Sequence, residues 1–204
     1  MATSFFDTIL TQGIRAGQIP ARETSARTWY RNRAAQIRNP QPRQIMRSEA
    51  SRLKNRLNQM SMGRMYMFFY DPKHKETLPY YDTFPLIFPY EKTEDGFMGI
   101  NLHYLPPNLR AVLMDGLYDL VSDERYDQDT RLKRLSYERL NSAARFKFFR
   151  PCLKRYLTKH VKSRFFEVSP SEWDIALFLR TERFEKKNKR SVWAESRKMV
   201  RGRR

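Results

Sequence analysis

Apolar residues downstream of residue 105 recur every three or four positions, the period of an amphipathic α-helix. Pro106-Pro107 is a helix-opening signal, and the helix is predicted to run to about Val121. The side chains expected on its inner face are Leu109, Val112, Leu113, Leu117 and Leu120. The same period predicts a second helix over Arg131–Phe146 and a third that begins at Pro151 and continues through Leu153, Tyr156, Leu157 and Val161.

The clearest helix start is the sequence Ser169-Pro170-Ser171-Glu172. A serine followed by a glutamate three residues later has the spacing of a capping box, and proline suits the first helical position. We therefore predict a short helix over Trp173–Leu179.

Residues 65–104 have a different pattern, in which short aromatic, β-prone runs alternate with turn sequences. The turns are Asp71–Lys75 and Glu94–Gly96, so three or four short antiparallel strands are expected. Pro85 and Pro89 indicate edge strands or bends. The predicted fold class is therefore α+β, with a small antiparallel β-sheet or barrel over about 65–104 and helices packed around it.

Upstream of the sheet, glycines and prolines scattered among arginines predict an irregular arm over residues 11–43, with a short helix around Ser25–Ile37. Apolar residues from Gln44 to Met60 line one face of a basic amphipathic helix. This helix has three available partners: the body of the protein, a second copy, or an acidic molecule. The predicted organisation is a basic arm (1–43), this helix (44–62), a compact core (63–180) and a basic helical tail (181–204).

The charge distribution supports this organisation. The chain has a formal charge of +18, and the excess of positive charge is concentrated at its two ends. Residues 1–64 hold 12 Lys and Arg against 3 Asp and Glu, and residues 181–204 hold 10 against 3. Residues 65–180 are nearly balanced, at 18 against 16. Basic ends on a nearly neutral body favour a polyanionic partner, either nucleic acid or an acidic protein surface.

Eleven of the 12 basic residues in 1–64 are arginine, whose planar guanidinium matches phosphate and carboxylate groups. The residues predicted to bind nucleic acid or another acidic partner are Arg22, Arg27, Arg31, Arg33, Arg38, Arg43, Arg47, Lys186, Lys187, Lys189 and Arg190. Ile19, Trp29, Tyr30 and Ile37 lie among the arginines and would also serve as anchors in a groove of a partner protein.

Motifs for catalysis and metal binding are not evident in the sequence. His74, His103 and His160 are scattered, Cys152 is the single cysteine, and there is neither a P-loop nor a nucleophile elbow. No run approaches the roughly 20 apolar residues of a membrane helix. We therefore expect no enzyme activity, no metal or other cofactor, no small-molecule substrate and no membrane contact.

Two regions allow other functions. Acidic residues near Lys92, namely Asp71, Asp82, Glu91, Glu94 and Asp95, make a magnesium-dependent nuclease the third-ranked function, although Asp-Pro and Asp-Gly are ordinary turn sequences. The strand aromatics Tyr66, Phe68, Tyr70, Tyr80 and Tyr81 suit either a stacking platform for single strands or a core. Basic residues are sparse between 65 and 104, which favours the core.

Four segments give the chain a family resemblance. They are YMFFYDPK at 66–73, LPYYDTFPL at 78–86, GFMGINLHYLPP at 96–107 and EWDIALFL at 172–179. Together they resemble virion proteins of large, contractile-tailed, T-even-like bacteriophages. The resemblance covers roughly residues 65–195 and includes no catalytic motif.

The role that this resemblance implies is that of a DNA end-protecting, head-completion protein near the portal. It implies contact with double-stranded DNA ends and with portal, neck or tail proteins, in the virion and, during assembly, in the host cytoplasm. Shielding an end requires sequence-independent phosphate contacts and no chemistry, in agreement with the basic ends. The alternative is a structural subunit of the tail or baseplate whose basic ends bind neighbouring proteins.

Overall fold

The structure is a computed structural model that describes residues 5–18, 24–38, 40–48, 56–57, 60–121 and 147–201. The helices in this part of the chain are α1 (Phe5–Arg15), α2 (Thr24–Gln36), α3 (Pro42–Ser48), α4 (Pro107–Val121), α5 (Trp173–Phe178) and α6 (Lys189–Arg201). The strands are β1 (Arg56–Leu57), β2 (Met65–Met67), β3 (Tyr81–Asp82), β4 (Leu86–Thr93), β5 (Gly96–Asn101), β6 (Leu153–Leu157), β7 (Phe165–Val168) and β8 (Phe184–Glu185).

Six of these strands form one antiparallel sheet in the order β1-β7-β2-β4-β5-β6. β3 and β8 pair separately as a two-stranded sheet. The larger sheet is open, with β1 and β6 as its outer strands. The α+β class is confirmed, and of the two predicted forms the structure has the sheet rather than the barrel.

Alternate residues of the central strands pack on opposite faces of the large sheet, as the pleat of a strand requires. Met65 and Met67 belong to the main core, whereas Tyr66 and Phe68 belong to a second, mostly aromatic cluster. The main core lies under α2 and α5, where the Trp173 ring meets that of Phe88 edge to face at 5.1 Å. Both faces of the sheet therefore carry buried side chains.

The predicted third helix after Pro151 is wrong. Residues 147–152 form a 3₁₀ helix and 153–157 form strand β6, which pairs with β5 from Gly96↔Leu157 to Ile100↔Leu153. A Cβ on Gly96 would lie 1.8 Å from the Tyr156 carbonyl oxygen, so the close approach of the two strands requires glycine. Pairing with a distant strand thus overrode a local apolar spacing that also fits a helix.

The N-terminal segment is also more ordered than predicted. The helix expected around Ser25–Ile37 is present as α2 and packs on α5, whereas the irregular conformation predicted for residues 11–43 is wrong at 11–15 and 42–43, which lie in α1 and α3. The buried side chains of α2 are Ala26, Tyr30 and Ala34, spaced by four residues on one helical face. Whether residues 1–43, 44–62, 63–180 and 181–204 are separate units stays a prediction.

The predicted amphipathic helix over residues 44–60 is only partly observed. Its beginning lies in α3, which ends at Ser48, whereas Arg56–Leu57 is strand β1 and pairs with β7. The prediction of a single helix up to residue 60 is therefore wrong, because residues 56–57 pair with β7 in the sheet. Residues 49–55 and the predicted helix over 131–146 lie outside the described residues.

The remaining local predictions are largely confirmed. Helix α4 is present, but Val112 is 61% exposed and the inward position is taken by Arg110. Pro89 marks a shift of register in β4, a bend as expected, although β4 is an inner strand. Helix α5 follows a 3₁₀ turn at Pro170–Glu172 whose capping box is formed. Of the predicted basic tail, residues 189–201 are helical as α6, whereas Phe184–Glu185 is strand β8. No helix among the described residues is long and apolar enough to cross a membrane.

Candidate functional site

Three of the predicted site residues are exposed arginines on or beside α2 and α3. Helix α2 contains no acidic residue, and Arg31 projects from it as an exposed side chain. Arg38 follows the helix and Arg43 lies in α3, both also exposed. No carboxylate within the described ranges pairs with Arg31, Arg38 or Arg43. Their guanidinium groups are therefore open to an anionic partner.

Other arginines of this segment are held by the fold or lie outside its described part. The Arg33 side chain donates to Gln12 at 3.1 Å and to Gln36 at 2.9 Å, so it links α2 to α1. Arg27 is half-buried. Arg22 lies outside the described residues, as does the side chain of Arg47.

Most of the predicted C-terminal site residues have intramolecular partners. The Lys186 ammonium donates to the carbonyls of residues 75, 76 and 78 at 2.6, 2.8 and 3.1 Å. Lys187 pairs with Glu195, and Lys189 with the buried Glu182 at 3.4 Å. Arg190 is exposed. This group therefore offers fewer accessible charges than the N-terminal arginines.

A hydrogen bond connects the two basic ends of the chain. The Arg183 guanidinium donates to the Pro40 carbonyl at 2.8 Å. Pro40 lies between Arg38 and Arg43, and Arg183 lies just before the C-terminal cations. The fold thus connects two segments that the sequence places at opposite ends of the chain.

The apolar residues proposed as anchors for a partner protein are used inside this fold. Tyr30 is fully buried, while Trp29 and Ile37 pack against the main core. The Trp29 and Tyr30 rings meet edge to face at 5.1 Å. Ile19 lies outside the described residues. The described anchors therefore stabilise the protein itself, and they no longer argue for a groove in a tail protein.

A polar network lies beneath β3 and the end of β5, and sequence reasoning missed it. Asp82 Oδ2 lies 2.6 Å from His103 Nδ1, and His103 Nε2 lies 2.9 Å from Thr181 Oγ1. The Asn101 amide donates to Asp82 at 3.1 Å. An Asp-His-Thr series resembles a catalytic triad, but His103 and Thr181 are fully buried. No substrate reaches this hydroxyl, so the network fixes β3 against the core.

A buried ion pair continues this network. Arg110 Nη2 donates to Glu182 Oε1 at 2.6 Å, and Arg110 also donates to the carbonyls of Leu105 and Leu177. Burial raises the pKa of Glu182, but the charges of Arg110 and Lys189 outweigh it and hold the pKa at about 2. The helical spacing puts residue 110 on the same face as the apolar residues 113, 114 and 117. This position in the sequence was therefore a signal that Arg110 is buried.

The acidic residues considered for a nuclease are not assembled into one site. Asp71 pairs with Lys75 at 3.1 Å, Asp95 pairs with Arg155 at 2.7 Å, and Asp82 is enclosed by the network above. Across the described ranges, no three or more His, Cys, Asp or Glu side chains are grouped to hold a metal ion.

The strand aromatics divide between the core and a pocket. Tyr66, Phe68 and Tyr70 are buried in the second cluster, which confirms the core interpretation for these three. Tyr80 and Tyr81 are half-buried and line a pocket of about 270 Å³. We call it the tyrosine pocket; its walls include Tyr80, Tyr81, Tyr104, Tyr156, Lys154 and Arg155.

The structure therefore defines a basic α+β protein with accessible arginines, a buried polar network and an aromatic pocket. A family described as the phage T4 terminal DNA protecting protein matches this chain over residues 21–200. Because the match covers most of the 204 residues, the chain belongs to this family. No curated protein and no solved structure matched this chain.

Proposed function

We propose that this protein binds and protects the ends of packaged double-stranded DNA, without sequence preference and without catalysis, at the head and neck of a phage particle. Membership of the terminal DNA protecting family is the observation that carries the proposal. The family match begins before α2 and reaches almost to the end of α6, so it includes Arg31, Arg38 and Arg43. The expected partners are DNA ends and the portal, neck or tail proteins.

The accessible arginines supply the physical basis for this binding. Every duplex end presents phosphates whatever its sequence, and guanidinium groups that neutralise them release bound counterions. Such contacts position a protein on DNA without reading bases. Arg31, Arg38 and Arg43 meet this requirement because they are exposed and have no carboxylate partner in the described part of the chain.

The proposal is tested by mixing the purified full-length protein with end-labelled linear duplex and an exonuclease that digests from ends. The protein should prolong the lifetime of the label, and linear DNA should compete for the protein far better than a covalently closed circle of the same sequence. Equal competition by the circle would show general DNA binding rather than end binding. No DNA binding, with the protein found on purified tails, would support the tail or baseplate alternative.

Matched variants separate the arginines from net charge. The triple variant Arg31→Gln, Arg38→Gln, Arg43→Gln should lose protection. The triple variant Lys92→Gln, Lys159→Gln, Lys162→Gln removes the same number of charges from exposed positions and should retain it. Equal loss in both variants would mean that only the total charge matters and would contradict the assigned surface.

A further inference from the structure

We infer that the tyrosine pocket receives the unpaired terminal nucleotide of a DNA end. This inference rests on the proposed function and specifies what part of the end is recognised. The pocket lies between β3 and the outer strand β6, with Tyr81 on one side and Lys154 on the other. It therefore joins an aromatic wall to a cationic wall, the two elements that bind a base and its phosphate.

The aromatic wall is built from rings held by their neighbours. The Tyr80 and Tyr104 rings lie 5.9 Å apart with 32° between their planes, and Phe184 stands edge-on to both. Burial raises the pKa of Tyr80 to about 12 and also raises the pKa of Tyr104 and Tyr156. The phenols therefore stay uncharged at neutral pH and do not repel a phosphate. Lys187 lies over the Tyr80 ring and Lys154 over the Tyr104 ring, whereas no other ring or cation of the described residues covers the half-buried Tyr81 ring. Since every base has a π face, a terminal base of any kind would stack on Tyr81.

Lys154 provides the cationic wall. Its ammonium lies over the Tyr104 ring at 4.0 Å, and none of the described carboxylates forms an ion pair with it. Burial lowers the pKa of Lys154, so the fold bears a cost for placing this amine in the pocket wall. A phosphate oxygen would supply the missing negative partner.

Neighbouring charges do not oppose this assignment. Asp82 lines the pocket, but its carboxylate oxygens are taken by His103, Asn101 and the backbone amides of Phe84 and Arg183. Arg155 lies at the rim, where it pairs with the exposed Asp95. Because Arg155 is already paired, Lys154 is the lining cation that has no carboxylate partner among the described residues, and its ammonium is the group that favours an anionic ligand.

The size of the pocket selects a single nucleotide over a base pair. Its volume of about 270 Å³ falls just below the range of about 300–1,000 Å³ that is usual for small-ligand pockets. Such a space holds one base with part of its backbone and excludes a second, paired strand. The duplex itself would stay outside, on the exposed arginines.

The test uses three DNA hairpin duplexes, each with one open end. The first end is blunt, the second carries one unpaired 5′-phosphorylated deoxyadenosine, and the third carries a 5′-phosphorylated abasic residue in its place. The full-length protein should bind the base-bearing end about five- to 150-fold more tightly than the abasic end. With 2-aminopurine as the unpaired base, binding should quench its fluorescence. The same base placed within the duplex should show no quenching.

Two variants assign the effect to the pocket. Tyr81→Leu should bring the affinity ratio of base-bearing to abasic ends close to one. The wild-type protein should also bind the 5′-phosphorylated end more tightly than the same end without its phosphate. Lys154→Met should abolish this preference, whereas the exposed-surface control Lys92→Met should retain it. Because Lys154→Met removes an unpaired, partly desolvated charge, its melting temperature should not fall, which separates loss of binding from loss of folding.

The results also separate this inference from the proposed function. Equal binding of base-bearing and abasic ends, with blunt-end binding retained, would overturn the pocket assignment and leave end protection standing. A preference that survives in Tyr81→Leu would overturn it as well. Failure to bind any open end would overturn the proposed function, and the pocket assignment with it.

Discussion

The Arg110 guanidinium lies 2.6 Å from the Glu182 carboxylate, and both side chains are excluded from solvent. This pair connects α4 to the segment before β8, which are 72 residues apart in the chain. The same guanidinium donates to carbonyls at Leu105 and Leu177. Arg110 therefore holds three separate segments together at the centre of the fold.

Glu182→Gln should lower the free energy of unfolding by about 3–5 kcal/mol at neutral pH, because it leaves the buried Arg110 charge without its anion. Urea denaturation measures the change. Glu185→Gln, at an exposed position nearby, should change the stability by less than about 0.5 kcal/mol. The double variant Arg110→Met, Glu182→Met should cost less than the sum of its single changes; additive costs would contradict a coupled pair.

The stability of the protein should fall in acid partly through Glu182. Its folded pKa of about 2 lies below its ordinary value of 4.5, so the unfolded chain takes up the proton first as the pH falls. The contribution, about 3 kcal/mol from this difference, is complete above pH 4.5 and is lost between pH 4.5 and about 2. The stability difference between wild type and Glu182→Gln should shrink across that window, and a constant difference would contradict the assignment.

Trp173→Ala should lower the free energy of unfolding by about 3–5 kcal/mol, since the side chain is buried between α5 and the sheet. Its indole N–H also donates to the Val168 carbonyl at 2.9 Å. Trp173→Phe keeps a ring against Phe88 and should cost less. DNA affinity, measured well below the melting temperature, should stay close to that of wild type in both variants.

The salt dependence of DNA binding should identify the residues that neutralise phosphates. Removing one such arginine reduces the slope of log K against log salt by about 0.9, so the triple variant of Arg31, Arg38 and Arg43 should reduce it by up to about 2.7. The triple lysine control should leave the slope unchanged. Titrations at four salt concentrations with one duplex are sufficient, and an unchanged slope in the arginine variant would exclude these residues from the interface.

Lys186 should contribute more to folding than to DNA binding. Its backbone has a φ of 66°, and its ammonium donates hydrogen bonds to the carbonyls of residues 75, 76 and 78. Lys186→Met should lower the melting temperature and change DNA affinity less than Arg31→Gln does. A larger loss of affinity than in Arg31→Gln would instead place Lys186 at the DNA surface.

Local patterns predicted the elements whose formation depends on neighbouring residues. The Glu172 side chain does accept from the Ser169 amide, at 3.3 Å, because the capping spacing places these groups one helical turn apart. Helix α4 was predicted for a similar reason. The same approach failed at β6, where Leu153, Tyr156 and Leu157 have a spacing that fits a helix face as well as the observed strand.

The candidate site also has a part that the sequence predicted and a part that it did not. Arginine content and charge located the accessible cations of α2 and α3, because an exposed charge can be predicted without knowing its neighbours in the fold. They did not distinguish Arg31 from Arg33, because the contact of Arg33 with Gln12 depends on how α1 packs against α2. The tyrosine pocket likewise joins residues of β3 and β6, which are distant in sequence.

By itself, the sequence determined the charge distribution, the α+β class, the capped α5 and the resemblance to phage virion proteins, because composition and short-range spacing are sufficient for each. Only the tertiary structure decided that 153–157 is a strand, that His103 meets Asp82, and that Arg110 is buried with Glu182. Each of these depends on strand pairing or burial between distant segments, and the energy of such contacts is set by three-dimensional proximity rather than by neighbours in the chain.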